Sequence, residues 1–333
     1  MLLAAGLAWT GAARGQQPAG GEDAQAALKQ VQAQVRALQV ELAQTRATME
    51  ALQGRLAKAE AQLSAGAPPA ATPAAPALPG HTLDVRIEPG QWGGAQAADM
   101  QKVLLSSAGE LWKYCPQRKL KPIIIQRSKE GPITLYNKGP GDEYIVRLDV
   151  EGAYWCQFAY QFAHEFCHVL TNYDRRKGDK NQWFEEALGE LASMYAVTAM
   201  GQTWQVAPPY PNWKGYAGNL TKYADELLKK EGSDLPPGQT LAAWYKANES
   251  DLRADPYKRD KNRIVAKCLL PLMQKSPESW EAFGCLNNSA PDGEASFASY
   301  LKAWYKDAPA KHQPFVKSVA EMFGVATALA EGK

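Results

Sequence analysis

The stretch AYQFAHEFCHVL, residues 159–170, carries two histidines four positions apart, His164 and His168, with Glu165 directly after the first. Large apolar residues surround them, and the pattern predicts a mostly buried helix over residues 153–172. Residues four apart lie on one face of a helix, so both imidazoles can reach one metal ion. Two imidazoles and a carboxylate in a buried helix are costly unless a metal or a similar group compensates them.

Glu165 is rotated by roughly 100° from His164 around the helix axis. It therefore flanks a metal held by the two histidines without having to bind it. This is where a base must stand to take a proton from water activated by the metal. The alternative is a pair of core histidines that form local hydrogen bonds. The chain has only four histidines, which makes chance a poor explanation of the spacing.

A catalytic zinc site needs a third protein ligand and an open position for water. Thr171 and Asp174 stand where the metzincin arrangement would have glycine and a third histidine, so that arrangement is excluded. A second helix is predicted over residues 182–200 and begins with WFEEALGE, residues 183–190. Over residues 144–195 the sequence resembles the gluzincin superfamily, the thermolysin and aminopeptidase type, in which a Trp-x-x-Glu segment supplies the third ligand.

Aligned on Trp183, the resemblance implies that Glu186 is the third zinc ligand and that Glu190 orients a ligand histidine. Glu185 is adjacent and stays an alternative ligand. Glu186 is preferred because Glu190 lies four positions beyond it on the same helix face. Seventeen residues separate His168 from Glu186, slightly fewer than in the family, so we expect a tight connecting turn.

The resemblance implies a zinc-dependent hydrolase, specifically a peptidase, which uses metal-activated water and Glu165 as the general base. We expect a tyrosine to stabilise the oxyanion, with Tyr195, Tyr210 and Tyr216 as candidates. The strand predicted over residues 144–150 would be the sheet edge that binds a peptide or protein substrate. One alternative is a non-catalytic zincin-like binding or scaffold module displayed on an oligomerising coiled coil. Another is that the coiled coil is the functional part and the domain is only a spacer.

Three N-terminal segments precede the predicted catalytic domain. Residues 1–15 have a short apolar run and small residues typical of an export signal, although no basic residue precedes the run. We therefore expect a periplasmic or extracellular protein, and the run is too short to act as a transmembrane anchor. Residues 65–80, AGAPPAATPAAPALPG, predict an extended linker rich in Pro and Ala.

Residues 22–64 carry a heptad repeat of apolar residues. The pattern needs a partner helix to cover its seam, so it predicts a coiled coil and a homo-oligomer. The alternative is a single solvated helix packed on its own domain. One heptad position is occupied throughout by Leu28, Val35, Leu42, Met49, Leu56 and Leu63.

Residues 81–333 predict an α+β domain: a small mixed sheet, zincin-like active-site helices and a mainly helical C-terminal part. A helix is expected over residues 95–114, and strands over residues 122–126, 133–136 and 144–150. The formal net charge of +2 and the lack of known nucleic-acid-binding motifs exclude a nucleic-acid partner.

Five cysteines leave at least one unpaired, and export would permit disulfide bonds between the others. The first expected pair is Cys268 with Cys285, and the second is Cys115 with Cys156. Cys167 lies within the metal-binding motif, where we expect a packed core thiol and not a ligand.

Overall fold

The computed structural model describes residues 82–289 and 291–327. They belong to the second of two compact units, Ala75–Lys333. The predicted export signal over residues 1–15, coiled coil over residues 22–64 and linker over residues 65–80 lie outside the described residues.

The described part is an α+β domain, as predicted. Its four strands lie before residue 149, and the elements after them are all helices. The strands are β1 Val85–Ile87, β2 Ile123–Arg127, β3 Ile133–Thr134 and β4 Tyr144–Leu148. The helices are α1 Ala97–Trp112, α2 Trp155–Leu170, α3 Gln182–Val206, α4 Ala217–Leu228, α5 Leu241–Ala254, α6 Arg259–Lys275, α7 Trp280–Phe283, α8 Phe297–Asp307 and α9 Gln313–Met322. No helix within the described residues is both long enough and apolar enough to cross a membrane.

The four strands form one mixed sheet in the order β1-β2-β4-β3. β1, β2 and β4 are parallel, and β3 runs antiparallel to β4, with Thr134 opposite Val146. β4 therefore lies inside the sheet, between β2 and β3. The prediction that residues 144–150 form the sheet edge is wrong: the edge strand on that side is the shorter β3, which precedes β4 in the chain, and β1 forms the other edge.

Helix α2 packs against α1, α3 and the β3 and β4 strands. Its aromatic residues Phe158, Phe162 and Phe166 are fully buried, as the apolar sequence predicted. The Ser107 hydroxyl of α1 donates a hydrogen bond of 2.8 Å to the carbonyl of Ala159. The helix with the two histidines is thus held from several sides and lies under the edge strand.

An aromatic cluster anchors the start of α3. Trp183 and Phe184 pack on Phe297 of α8, with ring centroids 4.8 and 5.0 Å apart. Tyr245 of α5 stacks on Trp183 at 5.5 Å, and Phe323 completes the cluster. Because the first turn of α3 is fixed in this way, the glutamates that follow Trp183 have a defined direction.

Both predicted disulfides are wrong, because all five cysteines are free. Cys115 is buried and its thiol lies 3.7 Å from the carbonyl of Trp280, whereas the thiol of Cys156 lies 3.5 Å from the Tyr216 hydroxyl. Cys167 has no exposed surface and is a core thiol, as expected.

Candidate metal centre

The structure brings the three predicted ligand side chains together. His164 and His168 project from one face of α2, with ring centroids 5.0 Å apart. Glu186, in the first turns of α3, places one carboxylate oxygen 3.2 Å from His164 Nε2 and the other 3.6 Å from His168 Nε2. One ligand atom from each residue lies within 4.8 Å of the others.

These donors suit a zinc ion. Two imidazole nitrogens and one carboxylate oxygen form a donor set typical of catalytic zinc, and donors around a tetrahedral zinc lie roughly 3.3 Å apart. Each imidazole nitrogen lies near that distance from one of the two Glu186 oxygens, at 3.2 Å for His164 and 3.6 Å for His168. His164 is buried and the other two are nearly so, which would hold an ion in a largely water-excluded position while leaving access from the cleft.

The three clustered side chains shift one another's pKa values. Burial alone would lower the pKa of His164, but the hydrogen bond to Glu186 and the surrounding carboxylates raise it to about 9. Burial lowers the pKa of His168, against the opposing effect of Glu186. The pKa of Glu186 is lowered: the two histidines, together with Arg259, outweigh its burial. The carboxylates around His164 thus favour a positive charge at this position, and a metal ion bound by His164 would compete with its proton.

Glu185 is turned away from this cluster. Its carboxyl is buried and accepts a hydrogen bond of 3.1 Å from the Thr171 hydroxyl. Burial raises the pKa of Glu185 to about 8, although Asn287 and Thr171 partly oppose the shift. The side chain grouped with the histidines is thus Glu186, and Glu185 instead binds the segment that follows α2.

Glu165 lies in the cleft beside the histidines but is not one of the clustered groups. It is 3% exposed, and its carboxylate accepts a hydrogen bond of 2.8 Å from the hydroxyl of Thr134 on β3. This is the flanking position expected for a base. The contact with Thr134 was not predicted, because it depends on β3 crossing over α2.

Glu190 lies one turn beyond Glu186 and is almost fully buried. Its hydrogen bond comes from the Tyr160 hydroxyl, and its charge is paired with Arg259 and Arg263, each 3.4 Å away. Glu190 also helps to raise the pKa of His164. That Glu190 orients a histidine stays a prediction.

Gly189 permits the close approach of α3 to His164. A Cβ atom at this position would lie 2.7 Å from Nε2 and Cε1 of the His164 ring. The sequence carries a signal of this requirement, because an isolated glycine inside a helical pattern often marks close packing.

The three tyrosines predicted to stabilise the oxyanion have other positions. Tyr195 packs edge-on against Trp280, with ring centroids 5.4 Å apart. Tyr216 contacts Cys156, and Tyr210 packs against an aromatic ring of the following segment. All three stand outside the lining of the cleft, so this prediction is wrong. They come from the C-terminal part of α3 and the segment after it, whereas the site lies at its N-terminal end.

The described residues that line the cleft include three other tyrosines. The Tyr173 hydroxyl donates to the carbonyl of Leu135 and is thereby occupied. The amide of Gln182 donates hydrogen bonds of 3.2 Å to the hydroxyls of both Tyr136 and Tyr257. Burial and nearby carboxylates raise the pKa values of Tyr136 and Tyr257, so each keeps a proton to donate. The lining also includes Pro132, Ile133, Thr134, Glu185 and Arg259.

In comparisons with known proteins, no protein-family model, curated protein or solved structure matches the chain.

Proposed function

We propose that this protein is an exported zinc metallopeptidase with a zincin-like catalytic domain of the gluzincin type. His164, His168 and Glu186 would hold the zinc ion, and Glu165 would act as the general base. The observation that carries the proposal is the convergence of the three ligand side chains from two helices, with their ligand atoms within 4.8 Å, beside a buried carboxylate.

The chemistry proposed is hydrolysis of a peptide bond. A bound zinc ion would lower the pKa of a water molecule and polarise the substrate carbonyl. Glu165 takes a proton from the attacking water and delivers it to the departing amine, acting first as base and then as acid. The cleft hydroxyls of Tyr136 and Tyr257 replace the three tyrosines first expected as donors to the developing oxyanion.

The edge strand β3 supports a peptide as the substrate. An extended peptide can add to an open strand through backbone hydrogen bonds, and β3 borders the cleft. Ile133 on β3 is 49% exposed and Tyr257 is 66% exposed, and both line the cleft. These exposed apolar surfaces favour substrates with apolar side chains next to the cleaved bond.

The test compares wild type with Glu165→Gln on a broad peptide library, with and without a chelator. The variant should keep its fold and its zinc, because residue 165 is not a ligand and glutamine is nearly isosteric with glutamate. Activity should fall at least roughly 100-fold, mainly in kcat, since a positioned base acts as water is deprotonated and not as substrate binds.

Zinc content and circular dichroism of both proteins are the controls. A folded, zinc-loaded variant as fast as wild type would show that Glu165 is not the base. If zinc-loaded wild type cleaves no peptide, the domain is instead a non-catalytic zincin-like binding module.

A further inference from the structure

We propose that Thr134 is a positioning residue, whose hydroxyl orients the Glu165 carboxylate while its backbone receives the substrate. The inference rests on the proposed function, since it assumes that Glu165 is the base. It adds a link between substrate binding and the base, made by one residue of the edge strand.

The first observation is the hydrogen bond itself. Thr134 Oγ1 lies 2.8 Å from Glu165 Oε2 and 3.1 Å from the carbonyl oxygen of the same residue. A hydroxyl has one proton, and the charged carboxylate is both the nearer and the stronger acceptor. Thr134 is 5% exposed and Glu165 3%, so little water competes for this contact.

The second observation is the direction of the Thr134 backbone. The N–H of Leu135 donates to the carbonyl of Ile145, 2.9 Å away, and Thr134 faces Val146 in the antiparallel ladder. Hydrogen-bonded and non-hydrogen-bonded pairs alternate in such a ladder. The N–H and C=O of Thr134 are therefore directed away from β4, towards the open edge, where an added peptide strand would bind.

The two observations give Thr134 two contacts with distinct partners. Its main chain faces the position of a bound peptide along the sheet edge, and its side chain, which stands on a face of the sheet, holds the base. A glutamate has several rotatable bonds, so an unheld carboxylate would occupy several orientations. Fixing one orientation before substrate arrives removes a cost from the chemical step and leaves binding unchanged.

The experiment compares Thr134→Val with Thr134→Ser in the zinc-loaded protein. Valine keeps the shape of the side chain and removes the hydroxyl, whereas serine keeps the hydroxyl and removes the methyl group. Thr134→Val should lower kcat between about 10-fold and 100-fold, the range for a hydrogen bond to a charged group, with little change in KM. Thr134→Ser should recover most of that loss. Zinc content should be the same in all three proteins.

A second readout does not depend on activity. Crystal structures of the zinc-loaded variants should show the Glu165 carboxylate displaced in Thr134→Val and in its wild-type place in Thr134→Ser. Thr134→Ala, which also lacks the hydroxyl and puts no apolar group against the carboxylate, replaces the valine variant if that variant misfolds.

Two results would overturn the proposal: an unchanged kcat in the valine variant, or equal loss in the serine and valine variants, which would point to packing. Failure of the proposed function is distinguishable, since wild type would then cleave nothing or Glu165→Gln would remain active. In that case the crystal structures test whether Thr134 orients Glu165. A Glu165 carboxylate that keeps its wild-type place in Thr134→Val would show that Thr134 does not position it.

Discussion

Glu185 and Glu186 are neighbours in the chain but differ in what surrounds their carboxyl groups. Successive residues of a helix point roughly 100° apart, so the two side chains cannot share one environment. Glu186 faces two histidines, which keep its pKa low. Glu185 contacts the Thr171 hydroxyl, and burial raises its pKa to about 8. Of the two, Glu186 has its carboxylate beside both histidines, where it can bind a dication together with them.

Exchanging each glutamate for glutamine tests the ligand assignment. Glu186→Gln should bind zinc at least roughly 100-fold more weakly, because the amide carries no charge. Losing a ligand should weaken binding more than losing a residue that only hydrogen-bonds to a ligand. Glu185→Gln is the matched control: it keeps the volume and the bond from Thr171, and should bind about one zinc per chain. Metal analysis after gel filtration measures both, and zinc loss confined to Glu185→Gln would contradict the assignment.

At the scale of elements, the site depends on how closely α3 approaches α2. The Ser193 hydroxyl of α3 donates a hydrogen bond of 2.8 Å to the carbonyl of Tyr160 on α2. Gly189, one turn earlier on the same face, lies against the His164 ring. Small side chains at both positions let the helices pack tightly enough for Glu186 to reach both histidines.

Gly189→Ala should separate the helices or rotate His164. The added Cβ would lie 2.7 Å from the ring, too close to be accommodated without a shift. We expect a loss of stability of about 1–3 kcal/mol, as for other overpacked sites, and at least roughly 10-fold weaker zinc binding.

Gly218→Ala in α4 is the control, because a Cβ there meets nothing within 4 Å. It should leave zinc binding unchanged and should not lower the melting temperature, since alanine is favoured over glycine in helices. Chelator competition and thermal unfolding measure both effects. Equal zinc affinity in the two variants would show that the close approach does not matter.

At the scale of the whole molecule, the sequence predicts that the domain with the candidate metal centre is part of an exported oligomer. The coiled coil over residues 22–64 and the export signal over residues 1–15 remain predictions. An apolar seam that is repeated over nearly six heptads is stable only when another helix covers it. If these residues self-associate as predicted, each oligomer would contain several copies of the proposed catalytic domain.

Sedimentation of the chain without its first 15 residues and of a chain beginning at His81 tests this arrangement. The longer chain should be an oligomer and the shorter one a monomer, because only the longer one contains the seam. Peptidase activity per chain should be equal in both, since the cleft belongs to the second unit. Two monomers would contradict self-association through residues 22–64.

Local periodicity was enough to predict the elements that build the site. The histidine helix predicted over residues 153–172 is Trp155–Leu170 in the structure, and the next helix begins at Gln182, as expected. The spacing of His164 and His168 on one face follows from helix geometry alone. That Glu186 joins them was expected from the family resemblance, and the structure places its carboxylate there.

Contacts between distant segments could not be predicted in the same way. Three features depend on which segments become neighbours. They are the order of β3 and β4, whether two cysteines come close enough to pair, and which tyrosines border the cleft. Thr134 shows the reason: it lies 31 positions before Glu165, and nothing in its own segment marks the bond between them. Helical spacing is determined within a few residues, whereas strand order and side-chain partners are determined by packing of the whole domain.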